Sequence, residues 1–146
     1  MKQIFGFITG FAIITMLIGC QNSSSDNFPK IRYGRDVCAE CHMIISEESY
    51  ASALITLGVQ TRKFDGVGCL LKYMKNNPGL NQKIWVHDFE KQIWIDGESA
   101  FFVHQNAVPT PMGDGLLAFF NRDAAESRAE NNLGMILTFD ELLQKP

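Results

Sequence analysis

The sequence predicts an α+β fold. Three observations carry the expectation: β-branched and aromatic residues arrive in grouped strand-like runs, apolar residues at helical spacing fall between the groups, and no regular β-α-β alternation links them into a doubly wound sheet. The grouping also hints at a weak duplication, with strand, strand and helix before a turn at 76–79 and strands followed by a helix after it.

The elements follow in order. Residues 50–56 and 59–64 read as two strands around Leu57-Gly58, where glycine supplies the turn. Phe64-Asp65-Gly66 opens a helix to about residue 75, with Val67, Leu70, Leu71 and Met74 at helical spacing and Asp65 as its N-cap. Asn76-Asn77-Pro78-Gly79 ends it. Residues 83–89 and 92–95 are aromatic-rich strands around Glu90-Lys91, and 100–103 is a further strand. A Pro/Gly loop at 109–115 precedes a short apolar run at 116–120. Asn121 caps a polar helix over 122–131, and Phe139-Asp140-Glu141 opens a last short helix within 136–143. Trp85 and Trp94 fall on neighbouring strands and read as packing residues, as do Met74 and Met135.

The N-terminus sets the compartment. Lys2 precedes an uncharged stretch over residues 4–18, shorter than the roughly 20 residues a membrane span needs. Leu17-Ile18-Gly19-Cys20 has the form of a lipobox ending in an acylated cysteine. Residues 1–19 therefore read as a lipoprotein signal peptide and 20–30, rich in Ser and Asn, as a lipidated flexible tether. Residues 31–146 form the folded domain, divisible at the turn into 31–79 and 80–146. The expected location is outside the cytoplasm, held to a membrane through Cys20. A net charge of −3 and no basic run in the folded part exclude a nucleic-acid footprint. No nucleophile elbow, phosphate-binding Gly loop or motif-placed carboxylate pair points to an enzyme.

Beyond Cys20 the chain has Cys38, Cys41 and Cys69. One disulfide would leave a thiol over, and free thiols outside the cytoplasm tend to oxidise, so the set points to metal or redox chemistry. Soft donors concentrate in Cys38-Ala39-Glu40-Cys41-His42-Met43. Three chemistries fit. Cys38, Cys41 and His42 match the C-x-x-C-H attachment site of a small c-type cytochrome. C-x-x-C also suits a dithiol redox protein or a zinc knuckle, although the remaining Cys69, His87 and His104 are scattered. Thiolate with thioether is the soft set that selects Cu(I), and Cys41 and Met43 would share one face of an extended segment, with His42 pointing away. Met43 can equally pack beside Ile44 and Ile45. Met112, in a loop where packing rarely demands a large apolar residue, reads as a third sulfur or a lid. Cys69 reads as a buried inert thiol, and His87 and His104 as ordinary core or surface histidines.

Four stretches in register carry a family resemblance. Asp36 to Ile45 resembles the C-x-x-C-x-M signature of the NosL family, lipoprotein copper chaperones of nitrous oxide reductase. Lys63-Phe64-Asp65-Gly66-Val67-Gly68-Cys69-Leu70 resembles its F-D-x-x-x-C segment. Asp88 to Val103 resembles its W-I-D-A stretch, and Thr110-Pro111-Met112-Gly113-Asp114-Gly115 its T-P-M-G-x-G loop. The resemblance implies two small ββαβ-type units, akin to the fold of organomercurial lyase. It also implies binding of Cu(I) and delivery to apo nitrous oxide reductase. The family's paired Cys and Met carry onto Cys41 and Met43, with Cys38 at a position that is often Cys. His42 departs from the Gly common there, which produces the haem-like motif and offers an imidazole as an additional ligand.

The copper and haem readings separate cleanly. Exported with haem-maturation proteins present, the chain is expected to carry no covalent haem, and the visible spectrum should lack a Soret band; a covalently attached haem would restore the cytochrome reading.

Overall fold

The computed structural model describes residues 28–56, 60–79 and 82–144. The signal peptide, Cys20, most of the tether and the Leu57-Gly58 turn lie outside the described residues. Among those described, no helix is long and apolar enough to cross a membrane.

After a hairpin-like segment and a single 3-10 turn at Glu48–Tyr50, the chain forms β1 (Ser52–Thr56), β2 (Thr61–Phe64), α1 (Val67–Asn76), β3 (Gln82–His87) and β4 (Trp94–Asp96). It continues through β5 (Phe101–His104), β6 (Leu116–Phe119), α2 (Arg122–Asn131), β7 (Met135–Leu137) and α3 (Phe139–Gln144). The first sheet has the order β2-β1-β3-β4 and the second β6-β5-β7, with every neighbouring pair antiparallel. The fold is α+β, built from two ββαβ units. In each, the first strand is central, the second and third flank it, and the helix joins the two flanking strands. That shared order gives topological form to the duplication that the sequence only hints at. β4 is an addition to the first unit. The sheets divide between β4 and β5, downstream of the 79/80 break expected from the sequence, because β3 and β4 complete the first sheet.

Alternation in β5 and β6 explains how the units join. Phe102, Leu116 and Ala118 face a core shared with the first sheet, α1 and α3, where Leu54, Phe64, Leu70, Ile84 and Val86 are buried. Val103, Leu117 and Phe119 point to the opposite face, against Ala125 and Ala129 of α2. The second sheet is thus covered on both faces, and all of β6 is buried, which accounts for its continuous apolar run. α2, almost wholly polar, buries the Ala125/Ala129 pair, four residues apart on one face, with Ala124 packed beside it. Its start is fixed by Asn121, whose side chain accepts the Asp123 N–H at 3.0 Å. α3 begins in a reciprocal cap: Thr138 N–H donates to Glu141 Oε2 at 2.7 Å and Glu141 N–H to Thr138 Oγ1 at 3.3 Å. Met135, expected in the core, is 56% exposed on the short edge strand β7.

Asp88 ties the two units together. It is buried, and its Oδ1 accepts the N–H groups of Glu90 (3.1 Å) and Lys91 (2.8 Å) in the β3–β4 turn. Oδ2 accepts Phe120 N–H at 2.8 Å, just past β6, while Phe89 N–H donates to Ala118 O at 2.8 Å. Asp88→Ala strands three N–H groups and is expected to lower unfolding stability by about 3 kcal/mol, with Asp88→Asn, which keeps one acceptor oxygen, falling between. Urea denaturation followed by circular dichroism measures both; a change under about 0.5 kcal/mol for Asp88→Ala would deny the residue this role.

Candidate metal centre

Residues 32–45 fold back on themselves. Gly34 N–H donates to Ile45 O at 2.8 Å and Ile45 N–H to Asp36 O at 2.9 Å, and Val37 bridges Ile44 antiparallel. At the tip, His42 N–H donates to Cys38 O at 3.1 Å and Cys38 N–H to Met43 O at 2.8 Å. The segment is therefore a closed turn, not the extended strand expected from the sequence, so strand alternation does not place Cys41 and Met43 on one face. Tight closure demands a left-handed residue, and His42 takes it at φ 63°. This explains why the resemblance has Gly at that position: Gly adopts such a conformation without the Cβ clash that other residues incur.

The turn is anchored to β2. Ala39 N–H donates to Lys63 O at 2.8 Å, and the Lys63 ammonium sits 2.6 Å from Asp36 Oδ2. Asp36 also accepts Arg32 N–H at 3.0 Å and Arg32 Nε at 2.9 Å. The Lys63 hydrogen bond, followed by that of the Arg32 backbone, holds the Asp36 carboxyl well below the usual carboxylate range.

The anchored turn meets the start of α1. Among the described residues, Cys38 Sγ, Cys41 Sγ, Cys69 Sγ and a carboxylate oxygen of Asp65 all lie within 4.8 Å of one another. Cys38 is 0% exposed, Cys69 and Asp65 are each 3% exposed, and Cys41 is half-buried. Cys41 Sγ–H donates to Asp65 Oδ2 at 3.4 Å, while Asp65 Oδ1 is buried with no hydrogen-bond partner. Burial, reinforced by Cys38 and Asp65, pushes the Cys69 thiol far above its ordinary pKa, and burial also raises Cys41. Cys41 and Cys69 therefore hold their protons more firmly than a free cysteine does.

Two expectations are corrected here. Cys69 is not an inert core thiol but a member of the cluster. Asp65 is not the N-cap of α1: that position belongs to Gly66, which makes no side-chain cap, and the Asp65 side chain turns to the sulfurs instead. Asp65 and Cys69 are four residues apart, a spacing that brings side chains together at a helix start; together with the odd cysteine, it was the available signal for both.

Met112 lies on the loop that covers the α1 N-terminus. Asp114 Oδ2 accepts Gly68 N–H at 3.0 Å, Asp114 Oδ1 accepts the Thr110 hydroxyl at 2.8 Å, and Gly115 N–H donates to Thr110 Oγ1 at 3.0 Å. A Cβ on Gly68 would stand 2.1 Å from Asp114 Oδ2, so glycine is what lets the loop seat one residue before Cys69. Met112 is 41% exposed on this loop and Met43 is 53% exposed on the turn, so Met43 is not a core residue. His42 is exposed and, with Cys38, Lys63 and Tyr73, lines a cleft of about 360 Å³.

His87 and His104 stand apart from the cluster. His87 is buried, 3.4 Å from Tyr33 Oη through Nε2 and edge-on to Trp94 at 4.0 Å, and burial pushes its pKa down to about 4. His104 lines a separate cavity with Leu71, Asp114 and Leu142.

The geometry discriminates among the chemistries. The thiols of Cys38 and Cys41 gather with Cys69 and Asp65, a cluster that does not include His42. A reactive redox cysteine needs a lowered thiol pKa, whereas Cys41 and Cys69 are raised. Three thiols beside a carboxylate, on a turn that faces a helix start, define a candidate site for a soft metal ion. The NosL family model matches residues 32–145, and the chain belongs to that family. Over 126 residues it is 26% identical to the copper-binding lipoprotein NosL of Stutzerimonas stutzeri, a match covering 80% of this chain and 66% of that relative's length. Its fold matches the crystal structure of the copper chaperone NosL from Shewanella denitrificans with a TM-score of 0.68 at 20% identity, covering 80% of this chain and 96% of the other.

The left-handed His42 yields a two-part test. His42→Gly should raise unfolding stability by about 0.5–1 kcal/mol by removing the Cβ strain. Denaturant titration measures the gain, and an unchanged or lower stability would contradict the strain. If the imidazole is a ligand, the same variant should lose metal affinity in a chelator competition.

Proposed function

We propose that this chain is a carrier of Cu(I), anchored through lipid on Cys20 outside the cytoplasm, that delivers copper to apo nitrous oxide reductase. The convergence of three cysteine sulfurs at one point carries the reading. Thiolates are the ligands Cu(I) favours over harder ions, and Cu(I) accepts two or three of them, so Cys38, Cys41 and Cys69 suffice. The relatives' names supply the metal: one is called a copper-binding lipoprotein and the other a copper chaperone. The recipient rests on the family resemblance. The lipid anchor rests on the lipobox ending in Cys20, with the lipoprotein name of the Stutzerimonas relative in support.

On this reading the sulfurs have graded roles. Cys38, Cys41 and Cys69 together hold the cargo, with half-buried Cys41 at the mouth and Cys38 and Cys69 buried behind it. Met43 and Met112, both exposed, offer weaker thioether donors from the turn and the loop. His42 offers an imidazole beside them. A partner's ligand can then enter before the last carrier donor leaves.

The test is Cu(I) competition against a chelator under anaerobic, reducing conditions, with circular dichroism to show that each variant is folded. Cys41→Ser should abolish tight binding, and Cys38→Ser and Cys69→Ser should each weaken it at least tenfold. Met43→Leu, close in size and polarity, should weaken binding by roughly 1–3 kcal/mol, and Met112→Leu by less. Wild-type affinity in a folded variant lacking all three thiols would overturn the carrier reading.

A further inference from the structure

The copper reading leaves Asp65 unexplained. Its carboxylate is 3% exposed, its Oδ1 is buried without a hydrogen-bond partner, and its Oδ2 accepts only the weak 3.4 Å contact from Cys41 Sγ, with Cys69 as its other thiol neighbour. Burying a carboxylate without full hydrogen bonding is unfavourable, and such groups are ordinarily paired or bound to a metal. A carboxylate is a hard donor with little to offer Cu(I). It is also a fourth donor, which a two- or three-coordinate ion does not require.

We infer that the same pocket closes around a divalent d10 cation, Zn(II), as a four-coordinate site made by Cys38, Cys41, Cys69 and Asp65. The inference rests on the copper reading only in using the same three thiols as donors. Geometry supports it. A tetrahedral site with Zn–S of about 2.3 Å and Zn–O of about 2.1 Å has S···S edges of roughly 3.8 Å and S···O edges of roughly 3.6 Å. The Cys41–Asp65 edge is already 3.4 Å, and no pair of the four donor atoms is farther apart than 4.8 Å. No donor pair exceeds its tetrahedral edge by more than about 1.2 Å, a distance within reach of side-chain adjustment.

Charge supports it as well. As the ion enters, each thiol releases its proton to solvent and forms an S–Zn bond, and the Asp65 carboxylate supplies the fourth bond. The product is a buried group of four anionic donors around one cation. A divalent ion neutralises one more of those charges than Cu(I) does, which matters most where solvent is excluded. Asp65 therefore acts as a selectivity element: with it the pocket admits zinc, and without it the pocket keeps only the soft donors that Cu(I) uses. Donors already gathered in the fold also set this arrangement apart from a zinc knuckle, whose paired motifs are adjacent in sequence.

The experiment uses the reduced full-length chain in detergent, titrated anaerobically with Co(II) and then with Zn(II). The expected result is intense red-region d–d bands, with near-ultraviolet sulfur-to-cobalt charge transfer, both lost as Zn(II) displaces Co(II). Zinc-edge X-ray absorption on the wild-type chain should count three sulfurs at about 2.3 Å and one oxygen at about 2.0–2.2 Å. Asp65→Asn should lower Co(II) and Zn(II) affinity at least about tenfold, since even outer-shell changes cost 10–100-fold. Its Cu(I) affinity should change less than threefold in the chelator competition. A weak octahedral Co(II) spectrum, or an absorption fit lacking the three sulfurs or the oxygen, would overturn the inference even if Asp65→Asn fails to fold. Retained tight Cu(I) binding in that event leaves the copper reading standing; loss of both ions in the folded wild type removes both.

Discussion

One residue of β2 holds the candidate site together. Lys63 uses its carbonyl to accept Ala39 N–H at 2.8 Å and its ammonium to grip Asp36 at 2.6 Å. The first contact fixes the register of the turn against β2; the second neutralises a buried carboxylate at the base of the same turn. Two residues further on, Asp65 leaves the strand, and four beyond that Cys69 arrives on α1. Donors far apart in sequence are thus positioned by a stretch of chain seven residues long, from Lys63 to Cys69. The closing ion pair between Glu40 and Lys72, at 3.1 Å with Lys72 mostly exposed, adds little by comparison.

The site is assembled at a local energetic disadvantage. His42 is held left-handed, and Asp65 Oδ1 is buried without a hydrogen-bond partner. Both oppose folding of the empty protein, and on the proposed reading a bound cation would supply the second with a counter-charge. The burden is borne elsewhere: by the shared core, and by Asp88, which satisfies three N–H groups at the junction of the units. Separation of a strained site from a well-satisfied scaffold is the pattern expected where function and stability compete.

The scaffold was more legible in the sequence than the site. α2 lies where Asn121 and the polar helix place it, and the strand pairs before and after α1 follow from β-branched and aromatic runs. Those signals are local, so they survive without knowledge of tertiary contacts. The cysteine turn differs from the extended segment expected at Cys41 and Met43 because a left-handed φ at a histidine leaves no trace in composition. Cys69 was read as a hydrophobe because helical periodicity cannot distinguish a thiol facing apolar neighbours from one facing two more thiols. The family resemblance supplied the motif that contains it but not its role.

Exposure of the sulfurs carries the last step. A fully enclosed metal would be held well but released slowly, because each donor would have to leave into a space that no incoming ligand can reach. A fully exposed one would be lost to any thiol in solution. On the proposed reading the donors would descend from exposed Met43 and Met112, through half-buried Cys41, to Cys38 and Cys69 in the core. The two exposed methionines lie on separate segments, the anchored turn and the loop that Asp114 clamps to α1. On the proposed reading, an incoming partner meets the weakest donors first, and the strong thiolates yield one at a time while the ion remains coordinated throughout. Such a path needs no opening of the fold, which fits a site whose walls are a short turn and a helix end fixed by backbone hydrogen bonds.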